Sequence, residues 1–323
     1  MMVKLFCPQC KLELAKEGLR QKCGQCGFFL EEKDGIFVSG EIKERDKEFY
    51  DKIYDEEHGQ KWFQGLNRSF LKRVLEKISL GYRRERFFKR NIHGKENLIL
   101  DLACGAGRDY FKDYGTVVGV DLSFKPLEIA KNRYDVVVQG GVEKLPFADG
   151  TFDYVTSSDF FGHVRDEDKD KIMKEIRRVL KPGGKTLHII ETDSENYLYK
   201  FAHRYPDLFQ KYFIEKIGGH VGLEMPSACA NRWEQNGFEL VMIKKIWGTI
   251  WPIKDYASFF NNEYKEKSIF IRAVVIISLI LGKIKLVEVF VNIILNTVNS
   301  LVGFFTNLNH GNGLMLVEKK PNV

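Results

Sequence analysis

No internal repeat and no low-complexity segment occurs along the 323 residues, so an array of small repeated units is excluded. Strong charge of one sign is missing as well. The formal net charge is only +6, too modest by itself to name a partner. No signal peptide is expected, since "MMVKLF" runs straight into Cys7 and none fits there. The thiols are therefore expected in a reducing cytosol, where metal binding is a better reading than disulfides. Cysteine is scarce after residue 26. Cys104 and Cys229 stand alone and read as buried thiols, with no case for catalysis. No apolar stretch is clean enough over about twenty residues to be a plain membrane span. What remains is a chain of ordinary apolar content, 44%, long enough for one large domain plus a smaller one, or for two domains.

The cysteines that are present are crowded together. Cys7, Cys10, Cys23 and Cys26 follow the spacing C-x2-C-x12-C-x2-C. Two such knuckles can offer four thiolates to one zinc ion in a tetrahedron. A segment of about forty residues cannot build a self-sufficient core, so the metal would supply folding energy. The stretch "LFCPQCKLEL…KCGQCGFFLEEKDGIFVS" resembles the small zinc ribbon of the Trm112-like type found beside methyltransferases. It is more loosely similar to the zinc domain of rRNA guanine methyltransferases. A closed structural site keeps no open coordination position, so no chemistry is expected at it.

Residues 41–95 are rich in charge and aromatics and read as a helical lid or linker, basic toward its end, where "RRERFFKR" is the densest part. Two readings stand: a solvated helix face, or a patch for the phosphates of RNA or an anionic membrane.

From residue 97 strand and helix alternate. "NLILDL" is a buried parallel strand, ending in Cys104-Gly105-Ala106-Gly107 and followed by an expected helix. "TVVGVDLS" gives a second strand ending in Asp121, where a carboxylate can accept hydrogen bonds from both hydroxyls of a ribose. "PLEIAKNRY", "DVVVQ", "TFDYVTSS" and "IMKEIRRVLKPGGKTLHII" continue the pattern. This predicts an α/β fold with a doubly wound parallel sheet. A dinucleotide dehydrogenase would want a further glycine three residues beyond Gly107, and Tyr110 stands there.

The motifs "LDLACGAGRD", "GVDLS", "LPFADGTFDYV" and "RVLKPGGK" resemble a class I S-adenosylmethionine-dependent methyltransferase of the UbiE-like type (methyltransferase type 11). The resemblance covers about residues 97–195. It implies a Rossmann-like seven-stranded sheet and S-adenosylmethionine as cofactor. It places Asp101, Gly105, Ala106 and Gly107 on the methionine side, Asp121 at the ribose and Ser158 at a further contact. Where the family often has an acidic or amide residue facing adenine, this chain has Gly141. Adenine would then rely on the backbone at Gly141 and Val142, and on Glu143. His163 sits where the family places a residue near the transferred methyl group, with His220 and Glu191 as weaker catalytic candidates. Methyl transfer is an in-line displacement that mainly needs alignment and exclusion of water. A base is required only if the acceptor must lose a proton.

The tail is the least ordinary part. "NGFELVMIKKIWG" and "NGLMLVEKK" read as the sixth and the seventh, antiparallel, strand. Between them "SIFIRAVVIISLILGKIK" and "LVEVFVNIILNTVNSLVGFF" are strongly apolar, yet Glu288, Asn292, Asn296, Asn299 and Asn307 are spaced to share one helical face. Such helices can lie at a membrane interface, cap a long apolar substrate, form a homodimer contact, or build a hairpin span.

The expected organisation is a zinc ribbon over 1–40, the lid over 41–95, and a methyltransferase core over 96–254. An apolar helical insertion follows over 255–309, then the final strand over 310–323. The expected activity is methyl transfer to a lipid, prenylated or lipid-linked acceptor by a cytoplasmic protein. It would be held peripherally on the inner face of the membrane through residues 269–306. An RNA methyltransferase and a non-catalytic adaptor are the alternatives. RNA leaves the apolar insertion unexplained.

Overall fold

The structure, a computed structural model, describes residues 3–39, 80–215, 219–246, 248 and 250–322. Most of the expected lid, with the first part of its basic run, lies outside the described residues.

The N-terminal segment forms β1 (Ala15–Glu17), β2 (Arg20–Lys22), β3 (Phe29–Lys33) and β4 (Ile36–Ser39). The core strands are β5 (Asn97–Leu102), β6 (Gly115–Asp121), β7 (Val136–Gln139), β8 (Phe152–Ser158) and β9 (Leu180–Glu191). Two more, β10 (Glu239–Ile246) and β11 (Gly313–Lys319), close the fold. All belong to one eleven-stranded mixed sheet in the order β1-β2-β3-β4-β7-β6-β5-β8-β9-β11-β10. The seven core strands have the expected arrangement, with β11 antiparallel between β9 and β10. The sequence order reverses at β5, which lies between β6 and β8. In open α/β sheets ligands bind outside the strand C-termini at such a point.

Two expectations need correction. The expected seven-stranded sheet has eleven strands, because β4 of the ribbon pairs in parallel with β7, Phe37 opposite Val138 and Val38 opposite Gln139. Without β4, the hydrogen-bonding groups of β7 would be a bare edge. Ile36 is fully buried with Phe87, Phe88 and Val137 of the main core. Leu5, Leu14, Phe28 and Leu30 share a second buried cluster with Leu145 and Phe147. The helix expected after Gly107 is only a 3-10 helix, Asp109–Tyr114. Six residues before Gly115 leave no room for a full amphipathic helix. Phe111 instead anchors the segment edge-to-face on Phe88, centroids 5.3 Å apart.

The helices are α1 (Leu80–Asn91), α2 (Phe124–Ala130), α3 (Asp166–Val179), α4 (Tyr197–Ala202), α5 (Pro206–Phe209) and α6 (Pro226–Gln235). Three more form the insertion: α7 (Ile253–Phe260), α8 (Ile269–Leu281) and α9 (Lys285–Phe305). Helix α3 shows why the local sequence is helical. Asp166, Glu167 and Asp168 fill its first turn and Arg177 and Arg178 its last, which complements the helix dipole. Its Ile172, Met173, Ile176 and Val179 enter the core.

The insertion has its own aromatic core, in which Trp251, Phe260, Tyr264, Ile271 and Val275 pack with Leu198, Tyr199, Phe201 and Phe213. The polar stripe of α9 faces the protein. Asn292 Oδ1 accepts from the Ile253 amide (2.7 Å), Asn299 Oδ1 accepts from the Ile250 amide (3.2 Å), and buried Glu288 pairs with Lys254 (2.7 Å). The apolar residues therefore turn outward. Leu286, Phe290, Leu301, Phe304 and Phe305 of α9 are exposed, as are Ile269, Phe270, Ile277 and Ile280 of α8, with Phe305 at 91%. Against the expectation that no stretch is clean enough, α9 is among the described residues the one helix long and apolar enough, by length and composition, to cross a membrane.

Candidate active site and thiolate cluster

The C-terminal ends of β5, β6, β7 and β8 carry the residues singled out for cofactor binding. Asp101, near the end of β5, is fully buried. Its carboxylate accepts from Arg108 Nη1 (2.8 Å), the Tyr134 hydroxyl (2.7 Å) and the Thr156 hydroxyl (2.8 Å). The Arg108 amide in turn donates to the Tyr134 oxygen (2.8 Å). Between Asp101 and Arg108 the backbone takes left-handed conformations at Ala103, Gly105 and Gly107, with φ of 48°, 53° and 76°. Only a chain that turns back on itself needs this, and glycine makes it cheap. Gly107 is also fixed by space, since a Cβ there would lie 3.2 Å from Tyr134 Cζ. Arg133 Nη1 holds the loop from outside through the Ala106 (3.2 Å) and Gly107 (3.0 Å) carbonyls.

Asp121 ends β6. Its two oxygens accept from the Gly105 amide (2.8 Å) and the Ser123 amide (2.9 Å), tying the glycine loop to the second strand. Burial pushes the carboxyl up to about 6, against the pull of those amides. Val142 is buried and Gly141 half-buried beyond the end of β7. A Cβ on Gly141 would fall 2.5 Å from Glu143 Oε2. The Glu143 carboxylate thus occupies the space that a side chain at 141 would take. Ser158, buried at the end of β8, donates to Asp159 Oδ2 (3.1 Å).

A second group lies past β8 and β9. His163 ends a 3-10 turn, Glu191 ends β9, and His220 lies between the 210–215 turn and α6. The structure brings all three together. One ligand atom from each lies within 4.8 Å of the others, and the two imidazoles stack with centroids 4.4 Å apart. Burial, then the neighbouring His163, lowers His220 to about 4. Burial, then the Asp159 charge, pushes the Glu191 carboxyl well up.

Asp159, Arg84 and Lys169 were not singled out from the sequence. Asp159 holds a left-handed φ of 57°, the kind of backbone strain that gathers at functional sites. Arg84 pairs with its carboxylate through both terminal nitrogens, Nη2 at 2.8 Å from Oδ1. The densest part of the basic run thus turns one arginine inward and buries Phe87 and Phe88, leaving Arg86 and Arg90 exposed. Adjacency to Ser158 at a strand end is the signal that would have pointed to Asp159. Lys169 is buried in α3. Its ammonium donates to the Gly222 carbonyl (2.5 Å) and pairs with Glu224 (2.7 Å), which pins the segment carrying His220. Lys169→Met is expected to destabilise the fold by roughly 3 kcal/mol, read as a lowered melting midpoint.

The four N-terminal thiols also converge. Their sulfurs all lie within 4.8 Å of one another, with Cys7 and Cys26 at 3.5 Å. Each knuckle places the residue after its second cysteine in the left-handed region, Lys11 at φ 60° and Gly27 at φ 77°. The Cys10 amide points to Cys7 Sγ at 3.3 Å. Hydrogen bonds from the Cys26 and Gln25 amides lower Cys23 to about 7. Such a cage of four sulfurs fits the donor set and size of a tetrahedral zinc site.

The sequence profile described as a methyltransferase domain matches residues 100–188. The demethylmenaquinone methyltransferase of Bacillus cereus (strain ATCC 10987 / NRS 248) is 30% identical over 172 aligned positions, taking in 45% of this chain and 71% of the relative. The chain belongs to the S-adenosylmethionine-dependent methyltransferases. The protein of the same name from Bacillus anthracis (strain CDC 684 / NRRL 3495) matches this methyltransferase over the same shares, also at 30% identity. Among solved structures, Haemonchus contortus phosphoethanolamine N-methyltransferase 2, bound to phosphomonomethylethanolamine and S-adenosylhomocysteine, superimposes with a TM-score of 0.51 at 20% identity. It covers 85% of this methyltransferase and 60% of that chain. That likeness is one of fold.

Proposed function

We propose that the protein methylates a lipid, prenylated or lipid-linked acceptor at a membrane surface. The observation that carries this reading is the outward apolar face of α8 and α9. Soluble monomers rarely expose so much contiguous apolar surface without a use for it. Lys283, in the turn between the two helices, and Lys285, at the start of α9, stand exposed beside exposed Ile284 and Leu286. Apolar side chains beside cations suit an anionic lipid surface. Behind this face is a hollow of about 320 Å³ lined by Tyr197, Leu198, Ile253, Tyr256, Phe270 and Val274, among others. We assign this hollow to the apolar tail of the acceptor. Demethylmenaquinone, named in the relatives, is an acceptor of this kind.

In this reading Asp101, Gly105, Ala106 and Gly107 shape the methionine side, Asp121 accepts from the ribose, and Ser158 adds a contact. Glu143 takes the adenine-facing place left by Gly141. Glu143→Ala is then expected to weaken S-adenosylmethionine binding about tenfold, the loss of one hydrogen bond to a charged group. Gly141→Asp in that background should restore it, as calorimetry would show. His163 and His220 line the acceptor side. The four thiolates hold a structural zinc that fixes the ribbon against β7.

Flotation with vesicles of phosphatidylglycerol and phosphatidylcholine tests the surface. The wild type should float with them, and the Phe290→Ser/Leu301→Ser/Phe304→Ser triple variant should stay at the bottom with its melting midpoint unchanged. A wild type that ignores vesicles removes the membrane from the proposal.

A further inference from the structure

We propose that His163, Glu191 and His220 form a second metal site, one that takes a divalent transition metal and leaves positions open for an oxygen of the acceptor. The role rests on the methyl-transfer reading above; metal binding does not.

Four observations carry the assignment. The three ligand atoms converge within 4.8 Å although they come from three separate segments of chain. Glu191 Oε2 is buried with no hydrogen-bond partner among the described residues, and Glu191 makes no ion pair among them. A buried carboxylate oxygen without a partner is costly; Asp159 beside it adds like charge, and a bound cation would relieve both. The two imidazoles stack with centroids 4.4 Å apart, so the two rings share one orientation. Finally, the loop carrying His220 is fixed at very close quarters. The Gly222 amide donates to the Gly162 carbonyl (2.9 Å), and a Cβ on Gly222 would overlap the Val164 carbonyl oxygen at 1.7 Å. Lys169 holds the same segment from the other side. The two histidines are thus placed by packing and backbone contacts.

Two imidazoles and one carboxylate favour zinc, iron, cobalt or manganese over magnesium and calcium, which prefer oxygen throughout. Three protein ligands leave room for a water or an acceptor oxygen. An acceptor hydroxyl bound there would be more acidic than in water and would be held toward the methyl group. This suits a ring hydroxyl such as that of a hydroquinone.

The test uses the full chain, loaded with zinc and desalted, then titrated with Co²⁺ under visible spectroscopy and calorimetry. Cobalt at the four thiolates shows an intense sulfur-to-metal band, while cobalt at imidazoles and carboxylate shows only weak visible bands, so the two sites are counted separately. One equivalent of the second kind is expected. Glu191→Gln, His163→Asn and His220→Asn should each weaken it at least about tenfold, with metal-free melting midpoints that show they fold. A wild type without the second equivalent, or binding that all three variants leave unchanged, overturns the site.

Discussion

Asp121→Ala is expected to weaken S-adenosylmethionine binding by at least about 100-fold, because two hydrogen bonds to a charged acceptor contribute roughly 1.5–3 kcal/mol each. The same change removes the link between β6 and the glycine loop, since the Gly105 and Ser123 amides both end on this carboxylate. Asp121→Asn should also bind weakly, as an amide can accept from only one of the two backbone donors at once. The wild type carries a matching pH signature. Burial raises the carboxyl to about 6 in the ligand-free fold, against about 4 in an unfolded chain. Its contribution to stability is therefore fully present below about pH 4 and lost as pH rises through about 6. Cofactor binding runs the other way. It needs the carboxylate, so affinity should fall as pH drops below about 6. Calorimetric titration of wild type and variants across that range checks both signs. An alanine variant within threefold of wild type would remove Asp121 from the ribose.

Removing metal from the thiolates should have the other large effect. Apparent binding energies of structural zinc sites are of order 10 kcal/mol. The buried apolar residues of the ribbon are not a core of their own: Leu5, Leu14, Phe28 and Leu30 pack in one cluster of the main domain and Ile36 in the other. Chelation, or Cys23→Ser, should lower the melting midpoint and open residues 3–39 to protease. It should also reach the cofactor. Phe6 donates its amide to the Pro146 carbonyl (2.9 Å), and β4 lies beside β7, so the ribbon braces the loop that carries Gly141, Val142 and Glu143. Coupling of this kind is commonly worth about 1–3 kcal/mol, hence a tenfold weaker S-adenosylmethionine affinity is expected. A chelated protein with unchanged melting and unchanged affinity would contradict both the metal and the brace.

Some of this was readable before any coordinates. Buried parallel strands are near-continuous apolar runs, so β5 to β8 announced themselves, and the chemistry at their ends followed from motif spacing. What escaped was long-range pairing. Nothing in "IFVS" says that it will lie beside "VVVQ", because β pairing partners are chosen by the edge each fold leaves open. The polar stripe of α9 was legible as a stripe. Its direction was not, since period alone cannot tell a face that meets water from one that meets α7. Arg84 and Asp159, 75 residues apart, became neighbours only when the sheet brought them together. Glu143 is the instructive intermediate: Gly141 looked like a gap, and the carboxylate two residues on folds back to fill it.

The most direct test supplies tritiated methyl groups on S-adenosylmethionine to the zinc-loaded protein, with a lipid extract containing prenylated hydroquinones on one side and total RNA on the other. The account predicts label in the organic phase, on a compound with a long apolar tail, and less of it with the vesicle-blind triple variant. Label confined to RNA, or none transferred by protein that binds S-adenosylmethionine, would contradict it.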